Sequence, residues 1–159
     1  MDEMYYPGQV TVLGVRLDKV NREEATARLE RALTHRLPRP EAVFTPNPEM
    51  LCRSVADPEV NSLLNSGDLN VADGVGTVWA ARRLGTPLPE RLPGIELGEA
   101  ALSLASRYGV GVYLLGGIEQ PPVAHMAAEA LRARFPGLVV SGAHHGYFDP
   151  DGSENDAIV

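Results

Sequence analysis

Asp73 ends an apolar run in "LNVAD" and is followed at once by Gly74 and, two residues further on, by Gly76. Residue types in that order fit two uses. An aspartate where a strand gives way to a helix commonly caps the helix, with glycines making the tight turn. The same arrangement lets an anionic ligand approach the free backbone N–H groups of the helix start, with the aspartate beside it as general base for a substrate hydroxyl. The pattern alone leaves both open. It is not a dinucleotide fingerprint, because in "GVGTVW" Trp79 occupies the place of the third glycine.

Five further groups of residues could take part in chemistry. Thr45 and Asn47 alternate with Pro46 and Pro48 in "FTPNPE". A hydroxyl and an amide there can close a turn or, on a backbone stiffened by proline, read the hydroxyls or acetamido group of a sugar. Glu49 falls in the first turn of a helix, where the dipole favours a carboxylate, and is read as structural. Arg91, inside "TPLPERLPG", is either solvated or able to close over a diphosphate with paired hydrogen bonds. Gly116 and Gly117 after "VYLL" permit close approach of backbone to a ligand, or only a turn. Asp149 and Asp151 imitate an Asp-x-Asp metal motif, yet turn and capping chemistry accounts for all of "FDPDGSEN". His144 and His145 lack companions at zinc spacing, His35 and His125 fall on helix surfaces, and no metal site is expected.

These residues need a scaffold, and the hydrophobic periodicity describes one. "QVTVLGVRLD" alternates like a strand and suits an edge hairpin. "NREEATARLERAL" is a helix with Asn21 as N-cap and Glu24 completing a capping box. "EAVFT" is a short buried strand and "DLNVAD" a second strand, with "PEMLCRSV" and "PEVNSLLNS" between them as helices opened by proline. "VGTVWAARRLG" is a helix closed by Gly85, and the three-proline loop after it leads to the helix "IELGEAALSLASRYG". "VGVYLLGG" reads as a buried strand, "QPPVAHMAAEALRARFPG" as a helix, and "LVVSG" as the last strand.

Strands separated by helices predict a single α/β domain over residues 1–159, doubly wound and Rossmann-like, with a mostly parallel sheet covered on both faces. Ligands of such folds sit beyond the carboxyl ends of the strands. "TPNPE", "ADGVG", "GG" and "HHGYFD" all fall there, so they are expected to rim one crevice. Ser153 and Asp156 form a second capping box whose helix is cut after about one turn, which predicts that the natural protein continues beyond Val159.

Composition removes several classes. A chain of 159 residues suits one compact domain. Its net charge is -7 with Lys19 as the only lysine, which argues against a broad nucleic-acid surface. Any anionic ligand must be held locally. Cys52 is the only cysteine, so a reducing, cytoplasmic setting is expected. The first residues have no signal-peptide pattern, and no apolar run nears the ~20 residues that cross a bilayer.

Together and in order, "FTPNPEM", "LNVADGVGTVWAARRLG", "ERLPGIEL", "VYLLGG" and "HHGYF" resemble the bacterial TagA/WecG/CpsF glycosyltransferases, from about Val10 to the last residue. The resemblance implies an inverting transferase without a cofactor or metal. It would move a sugar from a UDP-sugar donor to a polyprenyl-diphosphate-linked acceptor. In the teichoic acid members, the donor is UDP-N-acetylmannosamine and the acceptor undecaprenyl-diphosphate-linked N-acetylglucosamine. On the same basis Asp73 is the expected general base and Arg91 assists near the diphosphate. Thr45 and Asn47 contact the donor sugar, while Gly74, Gly76, Gly116, Gly117 and Tyr147 belong to the substrate site. A homo-oligomer, peripheral at the inner face of the cell membrane, is expected to dock there through a basic, partly apolar tail that follows Val159 in family members. Three other readings stand beside this one: a related UDP-sugar transferase, of mannosaminuronic acid or glucose, for another surface polysaccharide; a non-catalytic nucleotide-binding domain; and an oxidoreductase disfavoured by Trp79.

Overall fold

The computed structural model describes residues 8–35, 37–149, 151–152 and 155. The elements run β1 (Gln9–Val12), β2 (Val15–Asp18), α1 (Arg22–Thr34), β3 (Val43–Phe44), α2 (Pro48–Ala56), α3 (Pro58–Asn65), β4 (Leu69–Asn70), α4 (Val75–Arg83), α5 (Gly94–Tyr108), β5 (Gly111–Leu115), α6 (Val123–Arg134) and β6 (Val139–His144). The capping box expected at Ser153 and Asp156 lies outside the described residues. The fold is mixed α/β. Its strands form three pairs: an antiparallel hairpin, β1 with β2, and two parallel pairs, β3 with β4 and β5 with β6. Each parallel pair is joined by helices, as a parallel connection requires.

The chain divides into two compact units, residues 1–100 and 101–159. In the first, the alternating residues Val10, Val12, Val15 and Leu17 of the hairpin meet Leu51, Leu64 and Ala81 from the three helices α2, α3 and α4. Leu69 and Val71 point instead into a second cluster with Val20, Ala25, Leu92 and Leu97. Successive side chains of an extended segment face opposite ways, so the stretch from Leu69 to Ala72 is covered on both sides.

Between those apolar clusters lies the fully buried Asn70. Its side-chain amide donates to the carbonyls of Arg16 at 2.9 Å and Leu64 at 2.7 Å, while its backbone N–H donates to Asp18 Oδ2 at 2.8 Å. The polar side chain thereby ties β4 to the hairpin and to α3. The bonds of its NH2 group offset part of the cost of burying it, while its Oδ1, also buried, accepts no hydrogen bond among the described residues.

Asp68 fastens the start of the same pair. Its carboxylate accepts from Arg39 at 3.0 Å and from the Ala42 N–H at 2.9 Å. The hydrogen bond and charge of Arg39, with the Ala42 N–H, hold its pKa down at about 2. A carboxylate whose folded value is depressed adds stability above its unfolded value, and that stability is lost as pH falls. The stability gap between the native protein and Asp68→Asn is therefore expected to be full at pH 7, to shrink below about pH 4, and to vanish near pH 2. Urea midpoints measured across that range check it.

In the second unit, β5 and β6 pair with an irregularity between Val112 and Tyr113, and α6 turns Ala124 and Ala128 inward. The expectation of a buried strand is corrected at β3, where Val43 is exposed and Phe44 half-buried, and again at β5. Its burial alternates, with Tyr113 and Leu115 exposed, because only one face of the pair is covered within this unit. No helix among the described residues is long and apolar enough to cross a membrane.

Candidate functional site

The regular pairing of β3 with β4 is only two residues long, yet the contact continues past it. Val71 N–H donates to Phe44 C=O at 3.0 Å, and Asp73 N–H donates to Pro46 C=O at 3.1 Å. The alternate-residue spacing is that of a parallel ladder carried into the two polar hooks. Continuing the register sets Asn47 opposite Asp73. Pro46 is sunk in the interior, and Thr45 and Asn47 on either side of it are partly exposed.

Each hook has local structural duties. Asn47 is the N-cap of α2, its side-chain oxygen accepting from Met50 N–H at 2.9 Å, with Pro48 at the first helical position. Its NH2 group has no partner among the described residues. Gly74, at φ 86°, is the N-cap of α4, which has no side-chain cap. Asp73 therefore does not cap the helix that follows it. Cβ atoms placed on Gly74 and Gly76 would lie 3.0 Å and 2.9 Å from the Pro48 ring, so glycine lets one hook pack on the other.

Asp73 is turned toward a third segment. Its Oδ2 accepts from Gly94 N–H at 3.1 Å, at the first residue of α5. Its backbone carbonyl accepts from Thr77 Oγ1 at 2.9 Å. Oδ1 accepts no hydrogen bond among the described residues. Thr45 lies against the same glycine: a Cβ on Gly94 would fall 2.7 Å from Thr45 Oγ1 and 3.2 Å from its Cβ. Thr45 and Asp73 thus meet at Gly94, a residue the sequence reading placed in a loop without a role. A glycine directly after Pro93, where a helix starts, was the available signal.

The proline-rich loop is anchored beside them by Leu92 N–H, which donates to Ala72 C=O at 3.0 Å. Arg91, its neighbour, is exposed and has no hydrogen-bond or ion-pair partner among the described residues.

Gly116, Gly117 and Tyr147 belong to the second unit. Gly116 N–H donates to His144 C=O and Gly146 N–H donates to Gly117 C=O, both at 3.0 Å, so the glycine pair and the "HHGY" segment are stitched together. Tyr147 projects its ring into solvent. Beside them is a cavity of about 730 Å³. It is lined by the prolines before α6, by His125 and by the mutually tilted rings of His144 and His145, whose centroids are 4.2 Å apart. Asp149 Oδ1 accepts from Asp151 N–H at 3.0 Å, the turn chemistry expected of that stretch. Among the described residues no three His, Cys, Asp or Glu side chains gather as a metal site would require.

Helix-joined parallel strand pairs, with polar hooks at the ends of β3 and β4 that leave a carboxylate oxygen and an amide unengaged, define a mixed α/β protein with free polar groups at these strand tips. The chain belongs to the Glycosyl transferase WecG/TagA/CpsF family, whose model matches residues 10–159. It is similar to proteins named N-acetylglucosaminyldiphosphoundecaprenol N-acetyl-beta-D-mannosaminyltransferase in Staphylococcus aureus strains NCTC 8325 / PS 47, COL and MRSA252. Identity to each is 31% over all 159 residues, and the chain spans 60% of each relative's length.

Proposed function

We propose that this chain is the α/β part of an inverting glycosyltransferase that moves N-acetylmannosamine from UDP-N-acetylmannosamine to undecaprenyl-diphosphate-linked N-acetylglucosamine in teichoic acid synthesis. The observation that carries the reading is the junction at Gly94, where Thr45 and Asp73 meet and one carboxylate oxygen remains unengaged. Family membership and the relatives' names support the reaction class.

In this reading the acceptor hydroxyl attacks the anomeric carbon of the donor sugar. A new C–O bond forms on one face as the bond to the UDP oxygen breaks on the other. UDP leaves with the electron pair, and Asp73 Oδ1 takes the hydroxyl proton. Gly94 N–H holds Oδ2 and fixes the carboxylate's rotation. Thr45 and the free NH2 of Asn47 read the donor sugar. Arg91 reaches from its anchored loop to the departing diphosphate. Gly74 and Gly76 let the substrate approach the start of α4, and Gly116, Gly117 and Tyr147 of the second unit keep the substrate-binding role that the family resemblance implies. A doubly wound, Rossmann-like arrangement as one domain, homo-oligomeric assembly and a peripheral place at the inner face of the cell membrane belong to the same proposal.

The capping of α5 by Asp73 favours a second reading, a nucleotide-binding domain without catalysis. Transfer by the full-length protein from UDP-N-acetylmannosamine to a lipid-diphosphate N-acetylglucosamine analogue separates the two. Product formation is expected. Binding of UDP without transfer or hydrolysis of any UDP-sugar would favour the second reading.

A further inference from the structure

Next to the hooks, and lined in part by Pro48 and Gly76, the first unit has a groove of about 500 Å³. Leu13, Leu51, Cys52, Trp79, Ala80 and Leu84 line it, and its wall is overwhelmingly apolar. Leu13, Trp79 and Leu84 are 52%, 65% and 59% exposed, so these large side chains are not there to fill the core. A contiguous exposed apolar surface of this kind marks a binding site.

The hairpin tip gives independent support. Leu13 and Gly14 are the two turn residues between β1 and β2, both with positive φ, 50° and 81°. A two-residue turn of this type favours asparagine or glycine at its first position, and a leucine is strained there. The strain sets an aliphatic side chain at the groove's rim. Observed strain of this sort points to function.

Charge selects the occupant. Arg82 and Arg83 stand exposed in the last turn of α4, and Arg83 lines the groove, in a chain whose net charge is -7. An apolar channel that shares its wall with the candidate site and carries arginine suits an apolar chain bearing an anionic head.

We propose that this groove holds the first isoprene units of a polyprenyl diphosphate, the lipid of the acceptor. The inference rests on the glycosyltransferase reading, since that is what brings a lipid-linked sugar to Asp73. The volume takes a few isoprene units and leaves the remainder of the chain outside.

Two native reporters sit in the groove. Trp79 is the only tryptophan and Cys52 the only cysteine in the sequence. Titrating the full-length protein, with any tryptophan or cysteine outside residues 1–159 replaced by phenylalanine or serine, with geranylgeranyl diphosphate in the presence of UDP is expected to shift Trp79 emission to the blue. Alkylation of Cys52 by a maleimide should slow by about tenfold or more, the effect of a site mostly occupied. Inorganic diphosphate should do neither. Leu13→Asn, which suits the turn's backbone, should weaken geranylgeranyl diphosphate binding by about tenfold, the share of one aliphatic contact, without lowering Tm.

Silent reporters at saturating probe would overturn the proposal, as would equal effects from inorganic diphosphate. Blue emission that depends on protein concentration before any probe is added would assign the groove to a second copy. Full effects from prenyl-free anionic vesicles would assign it to the membrane surface. A protein that binds the probe but transfers no sugar keeps the groove and loses the proposed reaction. One that transfers sugar with silent reporters loses the groove alone.

Discussion

Asp73→Asn in the full-length protein should reduce sugar transfer by about two to four orders of magnitude, the usual contribution of a positioned general base, while UDP affinity stays within about twofold. The substitution is nearly isosteric. An asparagine oxygen still accepts from Gly94 N–H, so the tie between the Asp73 hook and α5 survives. What disappears is the ability of the second oxygen to take a proton. Kinetics at saturating acceptor, together with calorimetric titration of UDP, separate that loss from a loss of binding. Turnover equal to that of the native protein would leave Asp73 with its capping role alone.

Gly94→Ala should impair both stability and turnover. Alanine at a helix position ordinarily stabilises by up to about 1 kcal/mol relative to glycine. Here the added methyl would lie 2.7 Å from Thr45 Oγ1 and 3.2 Å from both Thr45 Cβ and Cγ2. Rotating the threonine gives only partial relief, because Cβ itself stays 3.2 Å away and one of its two branches still faces the new methyl. Overpacking of this type costs about 1–3 kcal/mol, which exceeds the helix gain. The shift also moves the N–H that holds Asp73, and a displacement near 1 Å at a reacting group costs on the order of 100-fold in rate. Thermal unfolding and kcat measured on the same preparation test both effects. A more stable and fully active variant would mean that the junction at Gly94 is loose.

Much of the local structure was legible. The Asn21 and Glu24 capping box forms as their spacing predicts, and α2 and α3 each open on the proline that marked them. The hairpin alternates as expected. Gly85 ends α4 with φ 75°, its N–H donating to Arg82 C=O at 3.1 Å. These signals are local, and neighbours in sequence satisfy them.

The differences arise where distant segments decide. Asp73 directly precedes α4, so its sequence context suggests a cap for that helix, yet its carboxylate is taken by a residue 21 positions later. No periodicity encodes such a bond. The apolar run of β5 resembles a strand buried on both faces, whereas within its unit one face is open. The expected single sheet is represented by separate strand pairs, and past Phe44 and Asn70 the β3–β4 contact survives only as alternate backbone bonds into hooks stiffened by Pro46 and Pro48.

The anchoring of the proline-rich loop at Ala72, and of its last corner at Asp73, has an evolutionary consequence. One residue gained or lost between Thr86 and Pro93 would re-aim the carboxylate while both hooks kept their sequence. Divergence in acceptor geometry could therefore begin in a stretch that an alignment would score as mere linker.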